Sequence, residues 1–453
     1  MRTLPGRCLS HLFWRISLPI PARCVLRFKA QRGSRSFLPG TTTPTMGYNG
    51  DFLGPTIRVK NGQQFHADIE NTLDEPTTVH WHGLHVPAKW DGGPRQVIPT
   101  GAHWKPEFTI RQPAATLWYH PHAMGLTGEQ VYNGLAGLFI IDDEVSERLN
   151  IPKQYGRDDF PLIIQDRRFF QDGHFAYAQN MMDVMNGVIG NHLLVNGAEK
   201  PFLDVPREKV RFRVVNGSNS SIYRISFADE RPFFQIATDG GLMEKPVTLT
   251  SLLLSAGERA EIIVDFADNN PAAGVTLLVK QFNGQLFEAM RFTSTGPAEN
   301  QTDLPQDLAA INWLKESDAV RTRTFVMKTM GMDMGMMGGG GLTINGKHMD
   351  LKRIDETVKL GTTEIWEIRN SSDMMMGMPH SMHLHDVQFQ ILDRNGQTPE
   401  PREWGHKDTV LVMPGEVTRI IVRFADYTGI YMYHCHLLEH EDNGMMGQFE
   451  IIR

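Results

Sequence analysis

Short stretches of alternating apolar and polar residues run along most of the chain, and Gly, Pro, Asn and Asp separate them. An alternation with a period of two predicts strands buried on one face, and many short strands between turns are typical of β-sandwiches and barrels. The clearest predicted strands are 56–59, 209–215, 260–266, 363–369 and 418–424. Helical spacing is confined to two short stretches, 144–149 and 307–313. The pattern therefore predicts an all-β protein.

A strand that ends in Asn at a turn occurs three times along the chain. The three copies are 54–59 followed by 69–71, then 210–216 and 364–370. Such a repeat indicates duplication of one β unit, and 453 residues are too many for a single core. The sequence therefore predicts three β-sandwich domains, with a linker at 298–321. The expected domains are residues 17–150, 158–297 and 322–453.

The folded part of the chain is expected to be acidic. The formal net charge is −7, yet the first 45 residues carry eight Lys or Arg and no Asp or Glu, so the remainder carries −15. A protein that binds a nucleic-acid duplex normally shows a basic patch, and nucleic acid is therefore not an expected partner. No apolar run approaches the roughly 18 residues that span a bilayer, so no membrane partner is expected. Residues 1–16 are interpreted as a leader or a disordered tail. Their apolar run is shorter than that of a secretory signal, and a basic leader without acidic residues can also be a transit peptide.

Ten of the eighteen histidines fall into four compact clusters. The clusters are His80 and His82; His120 and His122; His380, His383 and His385; and His434, His436 and His440. Side chains at i and i+2 of a strand share a face, so each His-x-His pair is expected to present two imidazoles to the same point in space. One pair is weak evidence, since two exposed histidines give the same pattern, but four clusters in one chain indicate metal binding.

The cluster at 434–445 contains Cys435, one of only three cysteines of the chain. Period-two geometry predicts that Cys435 faces away from the histidines on either side of it. A thiolate, imidazoles and a weak axial thioether form a blue-copper electron-transfer site. Cys435, His440 and Met445 supply three of these groups on one loop. His380 can supply the second imidazole, because its spacing sets it apart from the His-x-His pair that follows.

Eight clustered histidines remain, and they form four pairs that suffice for a trinuclear copper cluster. The eight are His80, His82, His120, His122, His383, His385, His434 and His436. Two of them flank Cys435 covalently, so an electron that reaches the blue-copper site can pass through the cysteine to the cluster. Dioxygen needs four electrons to become water, whereas organic donors or Cu(I) give one at a time, so several one-electron centres are needed to store them.

These residues resemble the multicopper oxidases, the family of laccases, bilirubin oxidases and bacterial cuprous oxidases. The matching motifs are Gly-Tyr-Asn-Gly at 47–50, His-Trp-His-Gly at 80–83, Asp-Gly-Gly-Pro at 91–94, Trp-Tyr-His-Pro-His at 118–122, His-Leu-His at 383–385 and His-Cys-His at 434–436. The resemblance covers residues 17–453 and implies three cupredoxin-like Greek-key domains of β-sandwich or barrel form. It implies an oxidase that takes electrons from phenolic, aromatic amine or tetrapyrrole donors, or from Cu(I), and reduces dioxygen to water.

The resemblance also implies four coppers per chain and their ligands. The type 1 copper would be bound by His380, Cys435, His440 and Met445. The type 2 copper would be bound by His80 and His383, and the type 3 pair by His82, His120, His122, His385, His434 and His436. Asp91 and Glu441 stand where such enzymes keep carboxylates that relay protons to reduced oxygen. The alternative for both carboxylates is a hydrogen-bond partner of a ligand or a solvated charge.

Two features depart from the commoner family pattern. Ser381 follows His380 where many relatives have Pro, which leaves the local loop shape open although the ligand spacing is kept. The chain also has 24 methionines, several of them at 327–337 and 374–382. Thioethers suit Cu(I), and substrate Cu(I) could bind near Asp373, Met374, Met375 and Met376. For the methionines at 330–337 the alternative is a strand with Met on one face, followed by a flexible Gly turn. For 373–376 the alternative is the mouth of a pocket for an organic donor.

Other functions stay open from the sequence alone. A cuprous oxidase devoted to copper tolerance is the alternative within the family. A copper-binding or scaffold protein without activity would share the fold, but all twelve ligand positions are filled here. A copper nitrite reductase pairs blue copper with a single type 2 copper and uses fewer histidines. The protein is expected to act as a monomer and to be periplasmic or secreted, with a cytoplasmic location as the alternative.

Overall fold

The regular structure of the protein is mostly β-strand. The computed structural model describes residues 25–268, 274–296, 303–329, 341–371 and 377–453, and the predicted leader at 1–16 lies outside them. Within these ranges 31 strands form six sheets. The prediction of an all-β fold is confirmed, and each of the five clearest predicted strands is found within one residue of its expected bounds.

The first domain packs two sheets around a core of aromatic and aliphatic side chains. Its strands are β1 (Leu26–Arg35), β2 (Thr43–Tyr48), β3 (Ile57–Lys60), β4 (Gln64–Asn71), β5 (His80–His82), β6 (His103–Trp104), β7 (Glu107–Thr109), β8 (Ala115–His120) and β9 (Gly137–Asp142). One sheet has the order β2–β1–β4–β6, with β7 also paired to β4, and the other has the order β3–β9–β8–β5. His80 on β5 lies opposite His120 on β8, so the first two histidine pairs lie on neighbouring strands.

The second domain has the largest sheet. Its strands are β10 (Asp159–Arg167), β11 (His192–Val195), β12 (Ala198–Glu199), β13 (Phe202–Pro206), β14 (Lys209–Asn216), β15 (Tyr223–Phe227), β16 (Phe233–Thr238), β17 (Gly241–Leu249), β18 (Ser251–Leu254), β19 (Arg259–Asp265), β20 (Val275–Gln281) and β21 (Leu286–Thr295). The sheet orders are β12–β11–β10–β14–β19–β16–β17 and β13–β21–β20–β15–β18. Apolar side chains from both sheets fill the space between them.

The third domain carries the C-terminal histidine clusters. Its strands are β22 (Ala319–Thr329), β23 (Leu342–Ile344), β24 (Glu356–Lys359), β25 (Thr363–Asn370), β26 (His380–Leu384), β27 (Phe389–Arg394), β28 (Thr409–Val412), β29 (Val417–Arg423), β30 (Gly429–Cys435) and β31 (Met446–Ile452). The sheet orders are β23–β22–β25–β29–β27 and β24–β31–β30–β26–β28. Strands β26 and β30 are neighbours, and His383 lies opposite His434.

The three domains repeat one plan, as the recurring sequence phrase predicts. In the first sheet of each domain the opening strand pairs in parallel with a later one: β1 with β4, β10 with β14 and β22 with β25. The second sheet also holds one parallel pair in each domain: β3 with β9, β13 with β21 and β24 with β31. The same strands recur in the same relation, which is the result expected from internal duplication.

The Asn that closes the repeated strand has the same role in each domain. Asn71, Asn216 and Asn370 are all buried. Each side-chain amide donates to two backbone carbonyls: those of Glu75 and Ile98, of Ser221 and Leu254, and of Met378 and Val412. A buried amide that pairs two carbonyls in this way fixes the turn after the strand. The recurrence of Asn in the sequence therefore reflects three equivalent corners.

Helices are few and short within the described residues. The α-helices are α1 (Thr127–Tyr132), α2 (Glu144–Arg148), α3 (Met181–Asn186) and α4 (Leu438–Asp442), and 3-10 helices span Ala88–Trp90, Glu316–Asp318 and Pro401–Glu403. None of these helices has the length and apolar character needed to cross a bilayer. The predicted helix at 144–149 is confirmed as α2, whereas the one at 307–313 is wrong. The amides of Leu308 and Ala309 bond to carbonyls of Glu244 and Met243 on β17, so tertiary pairing replaces the bonds of a helix.

Candidate metal centres

Cys435 lies at the end of β30, where two imidazoles converge on its sulfur. Its Sγ is 3.4 Å from Nδ1 of His380 on β26 and 3.6 Å from Nδ1 of His440 on α4. The loop beyond Cys435 folds back, because the Met445 amide donates to the His440 carbonyl and the Cys435 amide donates to the Met445 carbonyl. All four residues are buried. The structure thus gathers the thiol and both imidazoles and places the backbone of Met445 beside them.

Burial sets the charge state of this group. It raises the pKa of the Cys435 thiol to about 12, lowers the pKa of His440 to about 4 and lowers the pKa of His380 well below its ordinary value. The imidazoles are therefore neutral near neutral pH, while a thiolate forms here only with a cation to stabilise it. A thiolate with two neutral imidazoles is a donor set that suits copper.

The outer nitrogen of each imidazole is also engaged. Nε2 of His440 donates to the carbonyl of Met185 on α3 at 3.0 Å. Nε2 of His380 lies 3.3 Å from the Thr329 hydroxyl. These contacts leave both Nδ1 atoms free to face the sulfur, which is how outer hydrogen bonds orient metal ligands. They also show that α3 of the second domain covers the edge of His440.

The eight remaining imidazoles gather between the first and third domains. Nε2 atoms of His122, His385 and His434 lie 3.1 to 3.2 Å from one another. A second triad contains His82, His120 and His436, and within it His82 Nδ1 lies 3.3 Å from His120 Nε2. The last two, His80 and His383, group with His82. The structure therefore brings all eight predicted cluster histidines together, and all eight are buried.

The expectation that each His-x-His pair meets at one point is wrong, although the two imidazoles do share a face. Ring centroids within a pair are 5.1 to 6.3 Å apart. Residues two apart on a strand are separated by about 6.6 Å, so a pair spreads over neighbouring positions. His434 accordingly belongs to one triad and His436 to the other. The sulfur of Cys435 between them faces a third group, as predicted.

The cluster fits metal ions bound by imidazole. Among the described residues, Nε2 of His80, Nε2 of His383 and both ring nitrogens of His436 are buried without a hydrogen-bond partner. Burial lowers the pKa of His120 to about 3. It lowers the pKa well below the ordinary value for His80, His82, His122, His383, His385 and His436. Unpartnered buried nitrogens are costly unless they bind a cation, and neutral imidazole is a good copper ligand.

Two buried carboxylates contact the outer nitrogens of cluster imidazoles. Oδ2 of Asp91 accepts from Nδ1 of His385 at 2.8 Å. The oxygens of Glu441 lie 3.1 Å from Nδ1 of His122 and 3.1 Å from Nδ1 of His434. Burial raises the pKa of Asp91 to about 6. Neither carboxylate is a solvated charge, since both are almost fully buried. Asp91 orients His385 through its hydrogen bond, whereas Glu441 faces His122 and His434 at ion-pair distance.

Sequence reasoning missed a third carboxylate, Asp408. Its Oδ1 accepts from Nε2 of His82 at 3.1 Å, and its main-chain carbonyl accepts from Nδ1 of His383 at 2.9 Å. Arg259 of the second domain donates to both of its carboxylate oxygens. Asp408 stands 326 positions from His82 and 149 from Arg259, so no local signal marks it as part of the site.

The two departures from the family pattern have different outcomes. Ser381 leaves the ligands in place: its carbonyl accepts from the His436 amide at 2.6 Å, and β26 carries His380 and His383 to their two sites. The methionines at 330–337, and Asp373 with 374–376, lie outside the described residues. Binding of Cu(I) there stays a prediction.

A buried thiol with two imidazoles, joined by one strand to a cluster of eight imidazoles within three β-sandwich domains, offers the donor groups that a copper oxidase with several coppers needs. Three family models, all described as multicopper oxidase, match residues 29–146, 163–285 and 317–452. The chain belongs to the multicopper oxidase family. It is a copper-dependent oxidoreductase with oxygen as the acceptor, and its domains are cupredoxin-like. A nitrite reductase would leave most of the eight imidazoles without a metal.

Curated relatives and solved structures match this chain over nearly its full length. The multicopper oxidase mco of Staphylococcus aureus is 39% identical over 427 residues, which cover 94% of this chain and 88% of the relative. The cell division protein FtsP of Escherichia coli is 37% identical over 434 residues, 92% of this chain and 87% of the relative. The crystal structure of laccase from Pediococcus acidilactici superposes with a TM-score of 0.87 at 38% identity, and covers 97% of this chain and 91% of that one.

Proposed function

We propose that the chain is a laccase-like oxidase in which His380, Cys435, His440 and Met445 hold the copper that receives electrons, and the eight clustered imidazoles hold three more. When bound, copper would supply one-electron acceptance at the first site and storage of the electrons that dioxygen needs at the second. The position of Cys435 carries the proposal. Its sulfur faces one group of ligands, while the histidines on either side of it belong to two different triads of the other group.

We assign the type 2 copper to His80 and His383 because their rings are held alike. Nδ1 of His80 donates to the Asp91 carbonyl and Nδ1 of His383 to the Asp408 carbonyl, each at 2.9 Å. Both Nε2 atoms are buried without a partner among the described residues. The two triads would then hold the type 3 pair: His82, His120 and His436 for one copper, and His122, His385 and His434 for the other.

Asp91 and Glu441 are proposed to deliver the protons that water formation consumes. Both touch cluster imidazoles, and the chemistry needs a group that can hold and release a proton beside the reacting oxygen. Asp91 suits this role because burial raises its pKa to about 6, close to neutral pH. Its Oδ1 atom has no hydrogen-bond partner among the described residues, so one oxygen stays available for a proton.

The proposed donors are phenols, aromatic amines or tetrapyrroles. A methionine as axial group favours a modest reduction potential, so easily oxidised donors are expected. The test compares a methoxyphenol, bilirubin and Cu(I) with the same copper-loaded preparation. We expect four electrons to be taken from the donor per dioxygen, without release of hydrogen peroxide. Release of peroxide would contradict the cluster assignment, and a copper-loaded protein with neither blue colour nor oxygen uptake would favour a scaffold role.

A cuprous oxidase is the second candidate function, and α3 gives it a specific location. Met181 and Met182 on this helix are exposed, at 65% and 47%. Met185 on the same helix accepts from His440 through its carbonyl. Exposed thioethers are soft ligands for Cu(I), and an electron released beside α3 would be one hydrogen bond from His440. The surface of α3 is thus proposed as a second place for substrate Cu(I).

The double variant Met181→Leu with Met182→Leu tests this location. Leucine keeps the volume and apolar character but removes the sulfur. We expect the rate of Cu(I) oxidation to fall several-fold, while oxidation of a methoxyphenol by the same variant stays unchanged. The phenol serves as the internal control for the copper sites. Equal rates with Cu(I) before and after the substitution would remove α3 from the Cu(I) route.

Assembly, location and domain bounds are also proposals. All twelve proposed copper ligands lie in one chain, which supports a monomer, and light scattering of the copper-loaded protein would test it. A periplasmic or secreted location is proposed with a cytoplasmic one as the alternative, and cell fractionation separates them. The proposed domains 17–150, 158–297 and 322–453 are supported by sheets that span 26–142, 159–295 and 319–452.

A further inference from the structure

The second domain provides none of the twelve proposed ligands, yet one of its turns reaches the copper cluster. The turn lies between β18 and β19. Gly257 within it has a φ of +86°, and a Cβ at this position would lie 3.0 Å from three atoms of the His436 ring. The backbone of the second domain therefore packs against a cluster imidazole with no room for a side chain.

Arg259 follows this turn and crosses into both other domains. Its two Nη atoms donate to the two carboxylate oxygens of Asp408 at 2.6 Å each. Its Nε donates to the Thr116 carbonyl of the first domain at 3.2 Å. Within its own domain the Arg259 amide bonds to Asp239 Oδ1 at 2.7 Å. Arg259 and Asp408 are both buried, at 1% and 0% exposed, so this two-pronged contact is shielded from water and salt.

Asp408 and the adjacent threonine orient two cluster imidazoles. Nε2 of His82 lies 3.1 Å from Oδ1 of Asp408 and 3.2 Å from the Thr409 hydroxyl. Nδ1 of His383 lies 2.9 Å from the Asp408 carbonyl and 3.1 Å from the same hydroxyl. As a result Nδ1 of His82 faces His120, while Nε2 of His383 is left free. Opposite ring nitrogens of the two histidines are thereby turned towards the cluster.

The neighbourhood is shaped around this contact. A Cβ on Gly83, the glycine of the His-Trp-His-Gly motif, would lie 2.6 Å from Nη2 of Arg259 and 2.6 Å from Oδ2 of Asp408. Lys407, beside Asp408, is held in turn by Asp239 at 2.7 Å and by Glu258 at 3.0 Å. Acidic and basic side chains of the second domain thus hold Lys407 and Asp408 by ion pairs. These two residues directly precede β28, which begins at Thr409.

We propose that Arg259 is a positioning residue for the copper cluster: through Asp408 it sets the ring orientation of His82 and His383, and so couples the second domain to copper binding. This inference rests on the proposed ligand roles of those two histidines. Replacing a residue that hydrogen-bonds to a metal ligand typically lowers metal affinity by about 10–100-fold. Arg259 acts one step further out, because the bidentate fork is what fixes the Asp408 carboxylate.

The variant Arg259→Lys tests the proposal, with Arg213→Lys as its matched control. Lysine keeps the charge but cannot make the two-pronged contact. Arg213 is also buried and bidentate, since it bonds to both oxygens of Asp159 and to Glu261. Arg213 lies opposite Glu261 on β19, and Glu261 is only two positions from Arg259. However, the partners of Arg213 contact no cluster imidazole among the described residues. Arg259→Lys weakens a buried ion pair between the second and third domains, and Arg213→Lys weakens a comparably buried ion pair within the second domain.

The readouts are copper affinity in competition with a chelator, and the electron paramagnetic resonance signal of the type 2 copper. For Arg259→Lys we expect copper binding at the cluster to weaken by about 10–100-fold and the type 2 signal to change. The blue absorption of the Cys435 site should be retained, as it should in Arg213→Lys, which should also keep wild-type copper content. The proposal would be overturned if both variants lost cluster copper equally, or if neither variant lost any.

A second variant keeps the test informative if Arg259→Lys does not fold. Asp408→Asn retains the shape of the side chain but presents an amide group to either His82 or Arg259, so the same loss of cluster copper is expected. A normal type 2 signal in Asp408→Asn would contradict the inference. Copper binding by the wild-type protein distinguishes the two proposals. If the wild-type protein binds no copper at the eight imidazoles, the proposed function fails. If it binds copper there and the variants bind it equally well, only the role of Arg259 fails.

Discussion

Replacing Cys435 with serine is expected to abolish the blue colour and to reduce oxygen uptake with every organic donor to background. The intense colour of such sites comes from a thiolate bound to copper, and a serine hydroxyl cannot replace it as a soft ligand. The covalent link between the two sites also runs through this side chain, because His434 and His436 belong to different triads of the cluster. The variant should therefore lose electron entry while keeping the cluster.

Copper content distinguishes this outcome from unfolding. Cys435→Ser should retain the copper of the eight imidazoles, including the type 2 resonance signal, and lose only the copper of the sulfur site. Met445→Leu is the matched control, since it alters the same buried loop but leaves the thiolate and both imidazoles. That control should stay blue, with a changed reduction potential. Substantial oxygen uptake by Cys435→Ser would show that electrons reach dioxygen by another route, and the assignment of the sulfur site would fail.

The strands could be predicted closely because their signal is local. Alternation along 363–369 reports one buried face, and β25 has the bounds that this pattern gives within one residue. The helix predicted at 307–313 was wrong because the structure of this stretch is set by contacts that are distant in sequence. Its apolar spacing suits a helix, but its amides bond to β17 of the second domain, and such tertiary partners leave no mark in the local sequence.

In the candidate site, too, local features could be predicted from the sequence and long-range contacts could not. Period-two geometry predicted that Cys435 faces away from its neighbours, and the structure confirms this orientation. The same geometry does not reveal which imidazoles from other strands join His434 or His436, so the triads could not be derived from the pairs. Asp408 and Arg259 were missed because three domains bring them to the cluster. Their role depends on contacts that span 149 to 326 positions.

Glu441→Gln is expected to slow oxygen reduction by about 10²–10⁴-fold, the range for loss of a positioned acid or base. Glu441 is fully buried, and its two oxygens lie 3.1 Å from Nδ1 of His122 and of His434. If both imidazoles bind copper through Nε2, each Nδ1 carries a hydrogen that faces Glu441, and the Cys435 carbonyl is a second acceptor 3.1 Å from Nδ1 of His434. Glutamine offers one oxygen and one NH₂ group, so it can accept from only one ring and can no longer exchange a proton.

Two rates separate this effect from damage to the sulfur site. Without oxygen, bleaching of the blue colour by a donor should proceed at the wild-type rate in Glu441→Gln, while oxygen uptake falls. The matched control is Glu439→Gln on the same helix, α4. Glu439 is buried but bonds to Asn219 and Ser220 of the second domain, so its replacement should cost stability and leave both rates near wild type. If Glu439→Gln and Glu441→Gln slow oxygen uptake equally, then general loosening of α4 explains the result, and Glu441 has no special part in proton delivery.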